Sequence, residues 1–304
     1  MRGFATIALA ATAAIVSACT SSTQTTPPPP PNPNLYLTTC VGTHFVNVYN
    51  PPFTGATTPS ISVPFPSGSV CTSAVLPLPN NQLAVGTFSV GWYIYQLPLS
   101  SSSAPIAHVT TPARVGGFAV DSSGNLAVSD NGNSKIDIFA PPFSSSSTFS
   151  VQFASGSRPY TLGLDPSGKL FVGNCSSHTV TVYTPPFTNS TTPSATISPA
   201  GTPCSEGIGV DAAGNLYVGD FTTSNVYVYN PPYSNSSLPV TTIAGGPSGT
   251  NEPAGFAFDR FGNVYIENYG AATITAFTPP LSASSVPLFT MPTETQPFGM
   301  SFGP

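Results

Sequence analysis

A repeated segment constrains the fold of this chain more than any other feature. Four stretches share an apolar run, a turn beginning Asp-x-x-Gly and a second apolar run. Their aspartates are Asp121, Asp165, Asp211 and Asp259, at separations of 44, 46 and 48 residues. A period of about 40–50 residues with several short strands is typical of a β-propeller. We expect these aspartates to shape tight turns, because an Asp side chain accepts hydrogen bonds from the backbone that follows it.

The repeats also indicate how many blades the propeller has. Each repeat contains four short strands, and the third ends in a Pro-Pro-aromatic or related motif, since proline lacks the N–H that a sheet ladder needs. These motifs begin at Tyr49, Tyr95, Phe139, Tyr183, Tyr229 and Phe277. The segment from Gln296 is like a first strand, and the segment from Asn34 is like a second strand. We therefore predict an all-β, six-bladed propeller of four-stranded antiparallel blades over residues 35–304, closed by a C-terminal strand that joins the N-terminal blade.

The best-preserved repeat, residues 204–229, resembles an NHL repeat. It has the run CSEGIGVD, a Gly-Asn turn, a Leu-Tyr-Val strand and a Val-Tyr-Val-Tyr strand. The resemblance covers nearly all of residues 35–304 and is weakest in blade two, where VLPLPNNQLAV replaces the Asp-Gly turn. NHL propellers as a group are mostly binding scaffolds, so the resemblance implies a non-catalytic binding or scaffolding module. The chain is more distantly similar to the gluconolactonase/regucalcin propellers, which use Glu, Asn and Asp near the axis to hold a divalent metal.

The composition narrows the range of partners. Six Lys and Arg residues stand against 11 Asp and Glu residues, which gives a formal net charge of -5. Because six basic residues are too few to neutralise a phosphate backbone, the sequence predicts no nucleic-acid partner. Only 6% of the residues are charged. The positions of the few charges are therefore informative.

The N-terminal segment is typical of an exported protein. Residues 1–18 combine one basic residue with a short apolar run, as a signal peptide does. The sequence Val-Ser-Ala-Cys ending at Cys19 resembles a bacterial lipobox, which implies lipidation of Cys19 and anchoring to the bacterial cell envelope at its periplasmic or surface face. Residues 19–34 then form a Pro/Ser/Thr-rich tether. The alternative is an ordinary signal peptide in which Cys19 has no role.

Four further cysteines recur in two pairs with similar placement. Cys40 and Cys175 each follow a second strand, and Cys71 and Cys204 each precede the first strand of the next blade. Among three possible connectivities, we expect disulfides Cys40–Cys71 and Cys175–Cys204, which persist in an oxidising compartment. The alternative is a metal site built from these thiols, but the sequence has no Cys-x-x-Cys spacing.

Seven of the 17 charged residues fall on one side of the propeller. The loops between second and third strands and the loops between blades share one face, here called the top face. Its candidate ligand-binding residues are Arg114, Arg158, Glu206, Glu252, Asp130, Asn174, Asp220, Glu267 and Asn268. The alternative is that these side chains cap strand ends.

We therefore expect a monomer that binds a protein or glycan partner at the envelope, with no catalytic residue, metal or cofactor. Two other functions remain open. One is a metal-dependent, lactonase-like hydrolase or lyase centred on Glu206 and Asp220, because Glu206 is the one residue with a metal-binding side chain just before a first strand. The other is a passive surface or coat protein.

Overall fold

The structure is a computed structural model that describes residues 32–40, 45–66, 71–199, 204–246 and 248–303. The described residues form 24 strands in six four-stranded antiparallel sheets and no helix. The prediction of six four-stranded blades is confirmed. The signal peptide, Cys19 and nearly all of the tether lie outside the described residues.

Each blade contributes one inner strand to the centre of the ring. The inner strands of blades one to six are β24 (Pro297–Gly303), β4 (Thr72–Leu78), β8 (Val115–Val120), β12 (Pro159–Leu164), β16 (Ser205–Val210) and β20 (Pro253–Phe258). The second strands are β1 (Asn34–Thr39), β5 (Gln82–Thr87), β9 (Leu126–Asp130), β13 (Leu170–Asn174), β17 (Leu216–Asp220) and β21 (Val264–Asn268). Neighbouring inner strands contact each other around the whole ring.

The outer half of each blade is built from two shorter strands. The third strands are β2 (Phe45–Tyr49), β6 (Trp92–Gln96), β10 (Lys135–Phe139), β14 (Thr179–Tyr183), β18 (Val226–Tyr229) and β22 (Thr273–Phe277). The outer strands are β3 (Ile61–Pro64), β7 (Ala107–Val109), β11 (Val151–Ala154), β15 (Ala195–Ile197), β19 (Thr241–Ile243) and β23 (Phe289–Pro292).

The ring closes in blade one, as predicted. There β24, from the C-terminal end, pairs antiparallel with β1, and Leu37 lies opposite Met300. Hydrophobic side chains fill the spaces between neighbouring blades, for example Tyr36, Val75 and Tyr93 between blades one and two. Equivalent clusters lie between all other neighbouring blades, including blades six and one. The hydrophobic core is therefore divided among six interfaces between blades, and the inner strands surround the axis of the ring.

In the loops, polar side chains accept hydrogen bonds from backbone N–H groups. At the end opposite the top face, here called the bottom face, Asp121 Oδ1 accepts the N–H groups of Ser123 at 2.9 Å and Asn125 at 2.8 Å. The other three repeat aspartates make the same pair of contacts. In the loop after each third strand, a Ser or Thr hydroxyl accepts a nearby N–H, as Ser147 does from Ser144 at 2.8 Å. These loops hold their shape without charged residues, which fits the low charge of the chain.

Two disulfides fasten neighbouring blades on the top face. Cys40 is bonded to Cys71 between blades one and two, and Cys175 is bonded to Cys204 between blades four and five. Both predicted pairings are confirmed. None of the described residues belongs to a helix of the length and hydropathy that crossing a membrane requires.

Candidate functional site

Four predicted top-face residues occupy the last position of a second strand and are buried: Asp130, Asn174, Asp220 and Asn268. The carboxylate of Asp130 accepts the backbone N–H of Asn133 at 3.0 Å and its side-chain amide at 2.7 Å. The carboxylate of Asp220 accepts the N–H groups of Thr222 and Thr223 at 2.9 and 3.1 Å, and its second oxygen accepts the Thr223 hydroxyl. Both carboxylates therefore stabilise the turn that follows them.

The two asparagines are hydrogen-bonded to their own blades and to the loop that enters each blade. Asn174 accepts the hydroxyl of Ser155 at 3.0 Å and donates to the hydroxyl of Thr181 at 3.0 Å. Asn268 donates to the hydroxyl of Thr275 at 2.9 Å. These side chains connect strand ends, and they do not converge on one point of the top face.

The remaining top-face residues are less buried. Arg114 and Arg158 are exposed, and Arg158 Nη2 donates to the Tyr160 hydroxyl at 2.7 Å. Glu252 is half-buried. Glu206 lies in β16, but its side chain lies outside the described part of the structure. Among the described residues, no three His, Cys, Asp or Glu side chains come together as metal ligands would.

The top end of the ring axis is closed by aromatic side chains. This aromatic cap consists of Phe88, Tyr160, Phe221, Tyr269 and Phe298. The rings of Tyr160 and Phe298 lie 6.2 Å apart, although they belong to blades four and one on opposite sides of the ring. Phe88 lies 5.8 Å from Tyr160 and 5.3 Å from Phe298. Because rings from opposite blades touch, the cap crosses the axis and a ligand on the top face does not reach the centre of the propeller.

Below the cap, the six inner strands enclose an axial cavity of about 330 Å³. Its wall is largely backbone and apolar side chains. A second cavity of about 340 Å³ adjoins it and shares Val120, Leu164 and Val210 with it. This second cavity is lined by Asp121, Asp165 and Asp211, which lie in the turns of the bottom face. The central space therefore opens toward the bottom face.

Among the side chains that the structure describes, one that is charged lines the axial cavity, that of Glu267 in blade six. The sequence analysis placed Glu267 in a top-face loop, whereas it lies at the penultimate position of β21. The same position in blades one to five holds Thr38, Gly86, Ser129, Gly173 and Gly219. Blades one to five thus have a small residue there, and blade six departs from that pattern.

The carboxyl group of Glu267 reaches past its own inner strand. Glu267 lies opposite Gly255 of β20, and a Cβ on Gly255 would overlap Oε2 of Glu267. Oε1 accepts the N–H of Gly299, in the neighbouring inner strand β24, at 2.7 Å. The side chain is fully buried, and Oε2 has no hydrogen-bond partner among the described residues. Burial raises the pKa of Glu267 to about 8, against a lowering by the Gly299 N–H.

A second unpartnered polar group lines the same cavity. Ser73 is 1% exposed, and its hydroxyl has no partner among the described residues. Ser73 precedes Ala74 in β4, and Ala74 lies against Gly299, the residue that contacts Glu267. Sequence reasoning missed Ser73, and it gave Glu267 no special role. The available signal was Glu267 itself, a glutamate where the other repeats have Gly, Ser or Thr.

The histidines do not contribute to this cavity in the described structure. His108 lies in the outer strand β7 and stacks on Tyr93, with ring centres 4.1 Å apart. His178 lies in the turn after β13. His44 lies outside the described residues.

The fold and its axial cavity define a six-bladed β-propeller. No protein-family model matches the sequence, and no curated protein matches it. Solved structures are similar to it at low sequence identity. A protein of unknown function from Bacteroides caccae has a TM-score of 0.65 and 12% identity, over 90% of this chain and 98% of that chain.

Two of the similar structures are named after enzymes. A putative 6-phosphogluconolactonase from Bacteroides uniformis has a TM-score of 0.62 and 15% identity, over 88% of this chain and 84% of that chain. Virginiamycin B lyase from Staphylococcus aureus has a TM-score of 0.54 and 13% identity, over 88% of this chain and 87% of that chain. At these identities the likeness shows the fold alone.

Proposed function

We propose that the protein is an exported, lipid-anchored β-propeller that binds a small ligand in its axial cavity without transforming it. The observation that carries this proposal is the buried carboxyl group of Glu267, a residue that lines the cavity and whose Oε2 has no hydrogen-bond partner in the described part of the chain. Burying an unpaired carboxyl group is costly. Five of the six blades have a small residue at this position, so the propeller does not need the glutamate for its own packing.

The location of the ligand differs from the one expected from the sequence. Among the top-face candidates, the carboxylates of Asp130 and Asp220 already accept hydrogen bonds from the turns that follow them. The aromatic cap separates Arg158 from the cavity. The cavity instead opens toward the bottom face, beside the turns of Asp165 and Asp211. A small ligand therefore fits the geometry better than a protein or glycan docked on the top face.

The cellular location is part of the same proposal. A lipid on Cys19 would hold the propeller at the envelope through the Pro-rich tether. Two disulfides are consistent with a compartment outside the cytoplasm. A cavity protein at that site is suited to capturing a solute from the surroundings of the cell.

The binding role is tested by the small molecules that co-purify with the protein. Wild type and the variants Glu267→Ser and Ser301→Trp are purified under native conditions, denatured, and their released small molecules identified by mass spectrometry. Ser301 lines the cavity, so a tryptophan there fills it. We expect one released compound from wild type and its loss from both variants. Arg158→Ala, on the top face, is the matched control and should retain the compound.

The opposite pattern would overturn the proposal. If both cavity variants release the same compounds as wild type, or if only Arg158→Ala loses one, the ligand is not in the axial cavity. Thermal unfolding of each variant establishes that the fold survives the substitution.

A further inference from the structure

The upper end of the axial cavity is lined by two residues whose side chains can accept hydrogen bonds, Glu267 and Ser73. Glu267 Oε2 and Ser73 Oγ are both buried, and both are without a partner among the described residues. They lie in neighbouring parts of the wall, because Gly299 contacts Glu267 on one side and Ala74 on the other. A ligand group at this end must therefore suit a carboxyl and a hydroxyl together.

An organic ammonium group fits these two acceptors. It carries three N–H donors, and its hydrogen bond to a carboxylate is charge-assisted and short. A divalent metal is a poorer fit, since hard cations need about six oxygen ligands and one carboxyl and one hydroxyl fall well short. An anion is disfavoured by the net charge of -5 and by the three aspartates at the lower opening.

The lower end of the same space is acidic. Asp121, Asp165 and Asp211 line it, from three neighbouring blades. Each of these side chains already accepts backbone N–H groups, but a hydrogen-bonded carboxylate keeps its negative charge. A second cation is therefore favoured at this opening.

The wall between the two ends is apolar. Val120, Leu164 and Val210 lie where the two cavities meet. Glu267 is paired with Gly255 across the sheet. The bottom turn of that blade begins at Asp259, four residues after Gly255. Four residues of extended strand span about 13 Å, which sets the length of the ligand.

We propose that the axial cavity binds a linear aliphatic diamine or polyamine. One ammonium group is held by Glu267 and Ser73, the alkyl chain follows the inner strands, and the second ammonium group lies among the aspartates of the bottom opening. This inference rests on the proposed function, and it names the ligand class for the same cavity.

Binding is measured by isothermal titration calorimetry of the full chain with 1,8-diaminooctane and with n-octylamine. We expect Glu267→Gln to weaken the binding of both amines at least tenfold, because the amide does not neutralise an ammonium ion. Glu252→Gln, a glutamate outside the cavity, should bind like wild type. Asp211→Asn should weaken the diamine at least threefold and leave the monoamine unchanged. Asp259→Asn is its matched control, since Asp259 makes the same turn contacts but does not line the lower cavity.

Proton release provides a second readout. The strands packed against Glu267, namely β20, β22 and β24, carry no titratable side chain, and the nearest titratable residues in sequence are Tyr265 and Tyr269. Because the pKa of Glu267 is about 8, the group is protonated at pH 7 and must release its proton to the buffer when it pairs with an ammonium group. Titrations in buffers of different ionisation enthalpy should show close to one proton released per diamine at pH 7. The release should be absent in Glu267→Gln.

Two results separate this inference from the proposed function. If neither amine binds at millimolar concentration while the cavity variants still lose their co-purifying compound, the ligand class is refuted and the binding role stands. If the diamine binds but Glu267→Gln leaves its affinity unchanged, the placement of the ammonium group is refuted. If neither the co-purification nor the calorimetry depends on the cavity residues, both fail.

Discussion

The carboxyl group of Glu267 occupies the space that a side chain on Gly255 would fill. The two residues face each other across β21 and β20 of the same blade. Blade six thus combines an acid where the other blades have a small residue with a glycine that makes room for it. This pairing is what brings a carboxyl group to the axis.

The first prediction tests this pairing. Gly255→Ala places a methyl group against the Glu267 carboxyl, so we expect a loss of about 1–3 kcal/mol in the free energy of unfolding, the usual cost of overpacking. In a Glu267→Ser background, which copies blade three, the same substitution should cost much less. Urea unfolding of the two single variants and the double variant gives the free energy of coupling between residues 255 and 267. Equal costs in both backgrounds would show that the two residues do not compete for space.

The second prediction concerns the pH dependence of stability. The pKa of Glu267 is raised from 4.5 to about 8 by burial. Between these values the folded protein keeps the proton and the unfolded chain releases it, so rising pH favours unfolding. Relative to Glu267→Gln, wild type should lose up to ~1.4 kcal/mol of unfolding free energy per pH unit across this interval, and no more above it.

The comparison with Glu267→Gln removes other titrations from this result. Asp137, whose pKa burial raises to about 6, is present in both proteins and cancels in the difference. Urea unfolding at pH 5, 6.5 and 8 measures the effect. A difference between the two proteins that stays constant with pH would contradict the buried, protonated state of Glu267.

The third prediction concerns the disulfides. Cys175→Ser/Cys204→Ser removes a bond that closes a loop of 29 residues, and the chain-entropy model assigns about 3 kcal/mol to such a closure. The pair Cys40→Ser/Cys71→Ser, with a separation of 31, should cost a similar amount. Chemical unfolding without reductant measures both. Peptide mapping of the unreduced protein should recover the two cross-linked pairs, and free thiols at these positions would contradict them.

The fourth prediction concerns the anchor. Cys19→Ser removes the only thiol at the end of the signal-peptide-like segment, so the protein should move from the membrane fraction to the soluble fraction of the producing cell. Thr20→Ser is a matched control that leaves the cysteine in place. Fractionation and labelling with a radioactive fatty acid measure the outcome. Membrane retention of Cys19→Ser would refute lipidation at this residue.

The sequence predicted those parts of the molecule that depend on local patterns. The Asp-x-x-Gly turns recur in four repeats and the motif that ends the third strand recurs in all six, so the number of blades follows from counting the latter. Cys40 and Cys71 could be paired because both lie at fixed positions relative to a strand. The strand order then placed them on the same face.

The cavity could not be predicted in the same way. Glu267 contacts Gly299, which belongs to a different blade, and its effect depends on the absence of a side chain at Gly255. The aromatic cap unites Tyr160 and Phe298 from opposite blades. Contacts across the axis depend on the direction and length of side chains, and no repeat motif records these.

Closure by β24 also gives the chain an order of assembly. The first three strands of blade one leave the ribosome before the strand that completes their sheet. Until that last strand arrives, the edge of β1 is exposed and the axis has no sixth wall. Loss of the final seven-residue strand therefore removes the wall that includes Gly299, the hydrogen-bond donor to Glu267. A chain that lacked this strand would lose the closure of the ring and the contact to Glu267 together.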